Sequence, residues 1–373
     1  MTNFLGHRVE DVEQGISAVE NESFKVFMQI YNKSYSVQEL PRRMALFFDR
    51  RKMIQESIQA FSEGRLPFRM RENSFIDRDE TELKALTGVS LPKFQELLPV
   101  EQQNLMAENP IYQQAEHQRQ QSRNRRSLSI FDFLDDPSPP SRAVSIPASK
   151  DWRQTNCVYP VRSQGDCGAC YAIASTTVLE SMRCINGQTN APVLSPQQVV
   201  DCATSRRGYQ NFGCDGGWPT RALQYLKDEG KVDREACYPF MRHQTTCKET
   251  IENKQGCSVS SSPTDTRMNF KVLTNEDDVL YHVAKTGPVA TVIKATDKFM
   301  YYGAGVFDDP SCSKMRSDVD HAVVIVGYGS EHGKDYWLIK NSWGTDWGIN
   351  GYAKFKRGTN ACSIGHWGWV VTS

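Results

Sequence analysis

Gln164-Gly165-Asp166-Cys167-Gly168-Ala169-Cys170-Tyr171 sets two cysteines three positions apart, and the use of each sulfur decides how the chain is built. A Cys-x-x-Cys pair serves as half of a metal clamp, as a redox dithiol, or as one structural sulfur beside one reactive sulfur. The chain has 373 residues and eleven cysteines, none before Cys157. A cysteine-free front is therefore joined to a cysteine-rich back. Eleven is odd, so a disulfide-bonded back part leaves at least one thiol over, and such a set persists in an oxidising compartment.

The 44 basic and 44 acidic residues leave no net charge, which gives no support to a nucleic-acid or membrane-surface partner. No stretch reaches the roughly 18 apolar residues of a membrane span. Met1 to Arg8 carries no apolar run of the kind a signal peptide needs, so location rests on the cysteines.

Phe24, Phe27 and Tyr31, then Met44, Phe47, Phe48, Ile54, Ile58 and Phe61, recur at three-and-four spacing and predict two amphipathic helices joined around Pro41. Shorter helical pieces are expected at 82–86 and 94–98. From Glu101 to Arg126 glutamine and charge replace any periodicity that could bury a face, which predicts a flexible linker. Pro137, Pro139 and Pro140 stiffen the chain after it. The expected organisation is an N-terminal extension (1–21), a helical segment (22–98), a linker and activation region (99–145) and a main domain (146–373). In that domain a helix begins near Cys170 and stops before Asn186-Gly187, and a second spans 195–202, capped by Ser195 with Pro196 in its first turn. From Val289 onward ATVIKA, HAVVIVGYG, DYWLIKNSW and GYAKFKRG are short β-rich runs broken by glycine. Helices first and strands afterwards predict an α+β fold of two subdomains with a cleft between them.

A cysteine at a helix start has its thiolate stabilised by unpaired backbone N–H groups and the positive end of the dipole. A nucleophilic thiolate also needs a base, a partner that orients the base, and donors for the oxyanion that develops on an attacked carbonyl. His321 at the start of one strand and Asn341 at the end of another supply candidates that a cleft would bring to Cys170. His7, His117, His243, His282, His332 and His366 lack such context.

Four motifs, QGDCGAC, GCDGG, DHAV and NSWG, follow in that order between Gln164 and Gly344, and on them the chain resembles the papain-like cysteine proteases. The resemblance implies a helical left part and a β-barrel right part preceded by an inhibitory propeptide. It makes Cys170 the nucleophile, His321 its base in a thiolate–imidazolium pair, Asn341 the orienting residue and Trp343 its shield. Gln164 donates to the oxyanion beside the Cys170 N–H. Gly216, Gly217 and Asp320 flank the substrate backbone, and Trp347 lies on the leaving-group side. Trp218, Pro219 and Val292 surround the pocket for the second residue before the scissile bond, with Trp367 as its floor, which favours Val or Leu there over Phe, Tyr and Arg.

In terms of that family Cys167 pairs with Cys214, Cys202 with Cys247 and Cys312 with Cys362. Three connectivities are open to Cys157, Cys184, Cys237 and Cys257, and the expectation is Cys157–Cys257 with Cys184–Cys237. Glu39, Arg43, Phe47 and Ile54 fit the propeptide helix pattern, with Arg50 and Ile58 where asparagines are usual. Asn73, Phe75 and Asp77 fit the second pro-motif, with Arg71 in place of glycine. Asp77 is expected among the carboxylates whose ion pairs tie the propeptide to the catalytic part and weaken in acid. Tyr171 and Ile173 replace the usual tryptophan and phenylalanine while keeping bulk. Asn21-Glu22-Ser23 and Asn32-Lys33-Ser34 are glycan acceptor triplets, and Arg123 to Arg126 reads as a processing site or a solvated basic run.

The function so implied is a cysteine endopeptidase made as a zymogen and acting through a thioester acyl-enzyme, without cofactor or metal. Its implied partners are protein and peptide substrates, its own propeptide and cystatin-type inhibitors, with a monomeric chain in the lysosome or outside the cell. The alternatives are a catalytically inactive papain-like binding protein and a Cys167–Cys170 dithiol oxidoreductase.

Overall fold

The computed structural model describes residues 18–107, 145–188, 191–248, 256–264 and 268–372. The triproline stretch, the 123–126 basic run and the first eight residues lie outside them. Helix α1 (Ala18–Ile30) and helix α2 (Leu40–Ser62, with Pro41 in its first turn) form the expected pair. Phe24 and Phe27 of the first meet Phe47 of the second with ring centroids 5.2 and 4.9 Å apart. Ile58, read as inward-facing, is exposed.

Strand β1 (Phe68–Met70) then pairs antiparallel with the edge of the main sheet, and α3 (Glu80–Lys84) follows behind a capping box in which Asp79 and Glu82 satisfy each other's backbone N–H groups. The next helix, α4 (Pro99–Met106), occupies the start of the expected linker. It escapes a periodicity search because its buried residues are Glu101 and Asn104, which are seated by hydrogen bonds and not by apolar burial.

Beyond residue 145, the short β2 (Lys150–Asp151) leads to α5 (Cys170–Ile185), with α6 (Pro196–Cys202) and α7 (Pro219–Glu229) packed on it. From Cys170 to Arg183 every residue of α5 is buried, so its polar side chains need internal partners. Ser175 and Thr176 donate to carbonyls one turn back, and Glu180 pairs with Arg162 at 2.5 Å while accepting the Leu194 N–H. A small ribbon, β3 (Lys231–Asp233) with β4 (Ser258–Ser260), closes this helical half.

The other half is a nine-stranded mixed sheet that includes β1 and β2. Its remaining strands are β5 (Asn269–Leu273), β6 (Val289–Ile293), β7 (Tyr302–Phe307), β8 (His321–Glu331), β9 (Lys334–Lys340), β10 (Tyr352–Lys356) and β11 (Gly368–Thr372), in the order β1-β7-β10-β9-β8-β6-β11-β5. Helix α8 (Glu276–Lys285) packs on β8 and β6. Two apolar cores result. One joins α5, α6 and α7 to Trp218, Trp367 and Trp369, and the other joins the sheet to Phe24, Phe47, Phe68 and Phe75. The N-terminal segment thus shares a core with the domain it covers.

Five disulfides form, and Cys170 alone among the described cysteines is free. Cys167–Cys214, Cys202–Cys247 and Cys312–Cys362 are as the resemblance implies. The other two differ from expectation: Cys157 bonds Cys184 and Cys237 bonds Cys257, closing the shorter loops of 27 and 20 residues. Cys184 lies at the end of α5 against the turn carrying Cys157, and Cys257 is at the start of the β3–β4 ribbon beside Cys237, a placement invisible in spacing.

Asp77 also differs from expectation. Its buried carboxylate takes Lys33 Nζ at 3.0 Å and the Tyr35 hydroxyl, so it binds parts of the N-terminal segment to one another. Arg43 holds Glu82 through both guanidinium nitrogens and pulls its carboxyl down to about 2. A carboxylate held low when folded contributes stability that is complete above its unfolded value near ~4.3 and is lost as pH falls towards the folded value. Glu82→Gln should therefore lower the melting temperature at pH 6, with the difference from wild type shrinking only below about pH 4. Melting curves from pH 6 to pH 2 check this; a constant difference across the range would exclude the ionised pair as its source.

Candidate active site

Cys170 is the first residue of α5, and its Sγ accepts the backbone N–H of Ala322 at 3.4 Å. Ala322 follows His321, so the helix start and the start of β8 meet at this sulfur. His321 Nε2 lies 2.8 Å from Asn341 Oδ1, and the same oxygen accepts the Ser342 N–H at 2.8 Å. That second bond marks the atom as an acceptor, so the ring donates from Nε2 and leaves Nδ1, buried and without a partner, as its basic nitrogen. Trp343 stacks on the imidazole at 4.5 Å. Gln164 Oε1 accepts the Ser342 hydroxyl at 2.6 Å, tying the opposite wall into the same set of bonds.

The N-terminal segment runs through this cleft. Leu86 gives its carbonyl to Gln164 Nε2 at 3.1 Å and to Trp343 Nε1 at 2.9 Å. Gly88 and Val89 donate to the Asp320 carbonyl at 3.0 and 2.9 Å, and Gly88 and Ser90 exchange bonds with Gly217 in a parallel bridge. Gly88 passes so close to the helix start that an added Cβ would stand 2.0 Å from the Gly168 carbonyl oxygen. Phe75 sets its ring edge-on to Trp343, and Asn73 donates to the Met300 carbonyl, which also receives the Trp347 indole. Arg71, where glycine is usual, donates to the Asp346 carbonyl, and Arg50 to the carbonyls of Ile76 and Arg78.

Enclosure decides the protonation states. Burial pushes the Cys170 thiol up to about 12, against N–H bonds from Ala322, Tyr171 and Gly88, and lowers His321 to about 4, against the Asn341 bond. Both groups are neutral in this form near pH 7. The thiolate–imidazolium pair implied by the resemblance is therefore not the state of the covered site, because the covering segment removes the water that an ion pair needs.

Trp218, Pro219, Val292 and Trp367 are all buried, with Val292 opposite Ala322 in the β6–β8 pair. Trp367 meets Trp218 edge-to-face at 5.4 Å and donates to the Arg316 carbonyl at 3.1 Å. Gly216 has a φ of 116°, open only to glycine without strain. Tyr171 is buried and donates to the Gly213 carbonyl at 3.1 Å. Three residues of this region escaped the sequence reading. Ser342 links Gln164 to Asn341, Thr220 accepts the Trp369 indole N–H at 2.7 Å, and Asn211 accepts the Trp218 backbone N–H at 2.8 Å. Only their nearness to NSWG and GCDGG hinted at them. Among the described residues no group of three or more His, Cys, Asp or Glu side chains is arranged to hold a metal. Cys167 is bonded to Cys214, so no Cys167–Cys170 dithiol exists.

These features define a class: a two-subdomain cleft that sets a thiol at a helix start beside an amide-oriented imidazole and is filled by its own N-terminal segment. The chain belongs to the papain family of cysteine proteases, whose model matches residues 146–370. It is 42% identical over 223 residues to the oryzain gamma chain of Oryza sativa subsp. japonica, covering 60% of this chain and 58% of that protein. It is 33% identical over 362 residues to cysteine proteinase 3 of Solanum lycopersicum, covering 95% and 87%. The chain thus spans about three fifths of the first of these relatives and most of the second. The fold is similar to that of digestive procathepsin L2 proteinase from Tenebrio molitor larval midgut, with TM-score 0.73, 30% identity, and 95% of this chain and all of that one covered.

Gly88→Ala should dislodge the covering backbone, because the methyl group meets a fixed carbonyl and not a flexible side chain. Cys170 in the full chain should then react with iodoacetamide at pH 7 at least about tenfold faster than in wild type. Mass spectrometry of the alkylated protein measures this, and equal rates would show that Gly88 does not gate the thiol.

Proposed function

We propose that this chain is the zymogen of a cysteine endopeptidase, with the segment from α1 to α4 as its propeptide and the enzyme beginning near Ile146. The observation that carries the reading is the His321 ring, held through Nε2 by Asn341 with Nδ1 buried and unpartnered, next to Ala322, whose N–H reaches Cys170 Sγ.

When the propeptide leaves, water enters, the thiol falls from its raised value and the imidazole rises from its lowered one. The Cys170 proton then moves to His321 Nδ1. The thiolate attacks a peptide carbonyl held against Gly217 and Asp320. The oxyanion takes the Gln164 Nε2–H that Leu86 had occupied, together with the Cys170 backbone N–H. His321 returns its proton to the leaving amine, a thioester forms, and water activated by the same nitrogen releases the acid. Asn341 keeps Nε2 as the donor throughout, and Trp343 covers that bond.

The substrates are proteins and peptides, cystatin-type inhibitors would compete for the same cleft, and the chain acts as a monomer. Five disulfides support an oxidising location, the lysosome or the extracellular space. Among the described residues no helix is long and apolar enough to cross a membrane.

The test is hydrolysis of a fluorogenic dipeptide amide by the acid-treated full chain. Cys170→Ser should reduce turnover to background, since an alcohol of much higher pKa cannot hold the ion pair with His321 that a thiol can. Asn341→Ala should cost less, about 10²-fold, because it orients the base without carrying the proton. Turnover retained by Cys170→Ser would reject the reading.

A further inference from the structure

Glu101 of α4 is buried against the Gly217 side of the cleft, where Trp218 Nε1 donates to its Oε1 at 2.8 Å and the Thr220 hydroxyl donates to the same oxygen. Its Oε2 accepts only the local N–H of Leu98, at 2.9 Å. The polarity of the Thr220 hydroxyl is set by its surroundings: Trp369 Nε1 donates to Oγ1, so the hydroxyl proton is free to point at the carboxylate. An indole N–H has no acceptor role either. Two donors, both on the catalytic domain, therefore converge on one point beside the packed rings of Trp218, Trp367 and Trp369.

Removing α4 opens those donors to water, and a peptide side chain that covers them again without an acceptor would leave them unsatisfied. An occupant that brings an oxygen acceptor avoids this, and a carboxylate does so best because bonds to a charged acceptor are roughly twice as strong. Trp218 directly follows Gly217, the residue that bonds the backbone in the cleft. A side chain projecting from that backbone can reach these donors.

We propose that Trp218 Nε1 and Thr220 Oγ1 form a carboxylate-binding subsite of the cleft, filled by Glu101 in the covered form and by an acidic side chain of a peptide substrate after the propeptide has left. This changes the expected Val or Leu preference: the site lies beside aromatic rings, but it presents two donors. The substrate part rests on the peptidase reading above, whereas the carboxylate site itself does not.

Two measurements keep these apart. In the full chain, Glu101→Ala empties the cradle, and sodium acetate should raise the melting temperature of this variant saturably, where equal sodium chloride does not and where wild type shows no such rise. Adding Thr220→Val should abolish the acetate effect and Thr220→Ser should retain it, with Trp218→Phe as the second variant should Thr220→Val fail to fold. Absence of a saturable acetate effect would overturn the site. After acid activation, peptides carrying Glu, Gln, Leu or Lys at the second or third residue before the scissile bond should show kcat/KM for Glu about tenfold above Leu at one of these positions, with Lys lowest. Thr220→Val should collapse the Glu-to-Leu ratio. Hydrolysis without that preference would overturn the substrate role, and no hydrolysis at all would reject the peptidase reading while the acetate result still decides the site.

Discussion

The contact on which the rest of the structure depends is the passage of the Gly88 backbone over Gly168 at the start of α5. No side chain fits at either position: a Cβ on Gly88 would stand 2.0 Å from the Gly168 oxygen, and one on Gly168 would stand 2.6 Å from the Cys214 oxygen. With both β-carbons absent, the covering strand comes low enough for Leu86 to reach Gln164 and Trp343, and for Gly88 and Val89 to reach Asp320. The same closeness excludes water from Cys170 and His321, which drives both to their neutral forms. One steric cause thus occupies the Gln164 amide and holds the thiol and the imidazole uncharged.

The propeptide holds this strand in place by two kinds of contact. On the sheet side the grip is apolar: Phe68 meets Phe307 at 4.7 Å, and β1 extends the sheet at β7. Burial of such rings contributes about 1.5–3 kcal/mol each and does not respond to pH. On the helical side the seat is polar, with Glu101 on Trp218 and Thr220, and Asn104 between the His366 carbonyl and Arg316. Ion pairs contribute little to the docking itself. Lys33–Asp77 and Arg43–Glu82 lie within the propeptide, while Arg78–Asp166, which crosses to the enzyme, ends on an exposed carboxylate where screening leaves little of its strength.

What could be read in the sequence was whatever leaves a motif or a period. The amphipathic pair α1 and α2, the helix opening at Cys170, the capped helix after Ser195 and the strands after Val289 were legible because burial of one face imposes spacing on the apolar residues. Cys170, His321, Asn341 and Gln164 were legible through the motifs QGDCGAC, DHAV and NSWG and the order in which they follow one another. Helix α4 was not, because Glu101 and Asn104 look solvated until the indole and hydroxyl that receive Glu101 are known. The pairing of Cys157, Cys184, Cys237 and Cys257 was hidden for the same reason: it follows from where α5 ends and where the β3–β4 ribbon lies, and linear spacing encodes neither. Arg50 and Arg71 looked like departures from the propeptide pattern, yet each satisfies backbone carbonyls that a longer donor can reach.

The hydrogen bonds that link Gln164, Ser342, Asn341 and His321 are independent of the covering strand. Gln164 bonds Ser342, Ser342 bonds Asn341, and Asn341 bonds His321, all through residues of the main domain. The propeptide adds the Leu86 carbonyl on Gln164 and Trp343, the Phe75 ring on Trp343, the Gly88 N–H toward Cys170 and the enclosure around that thiol. Its departure therefore frees a donor and admits water without moving the imidazole or choosing its tautomer, since the Ser342 N–H keeps Asn341 Oδ1 an acceptor in either state. What holds the strand over this site is the aromatic grip on the sheet and the Glu101 seat, neither of which belongs to the hydrogen bonds that orient the imidazole.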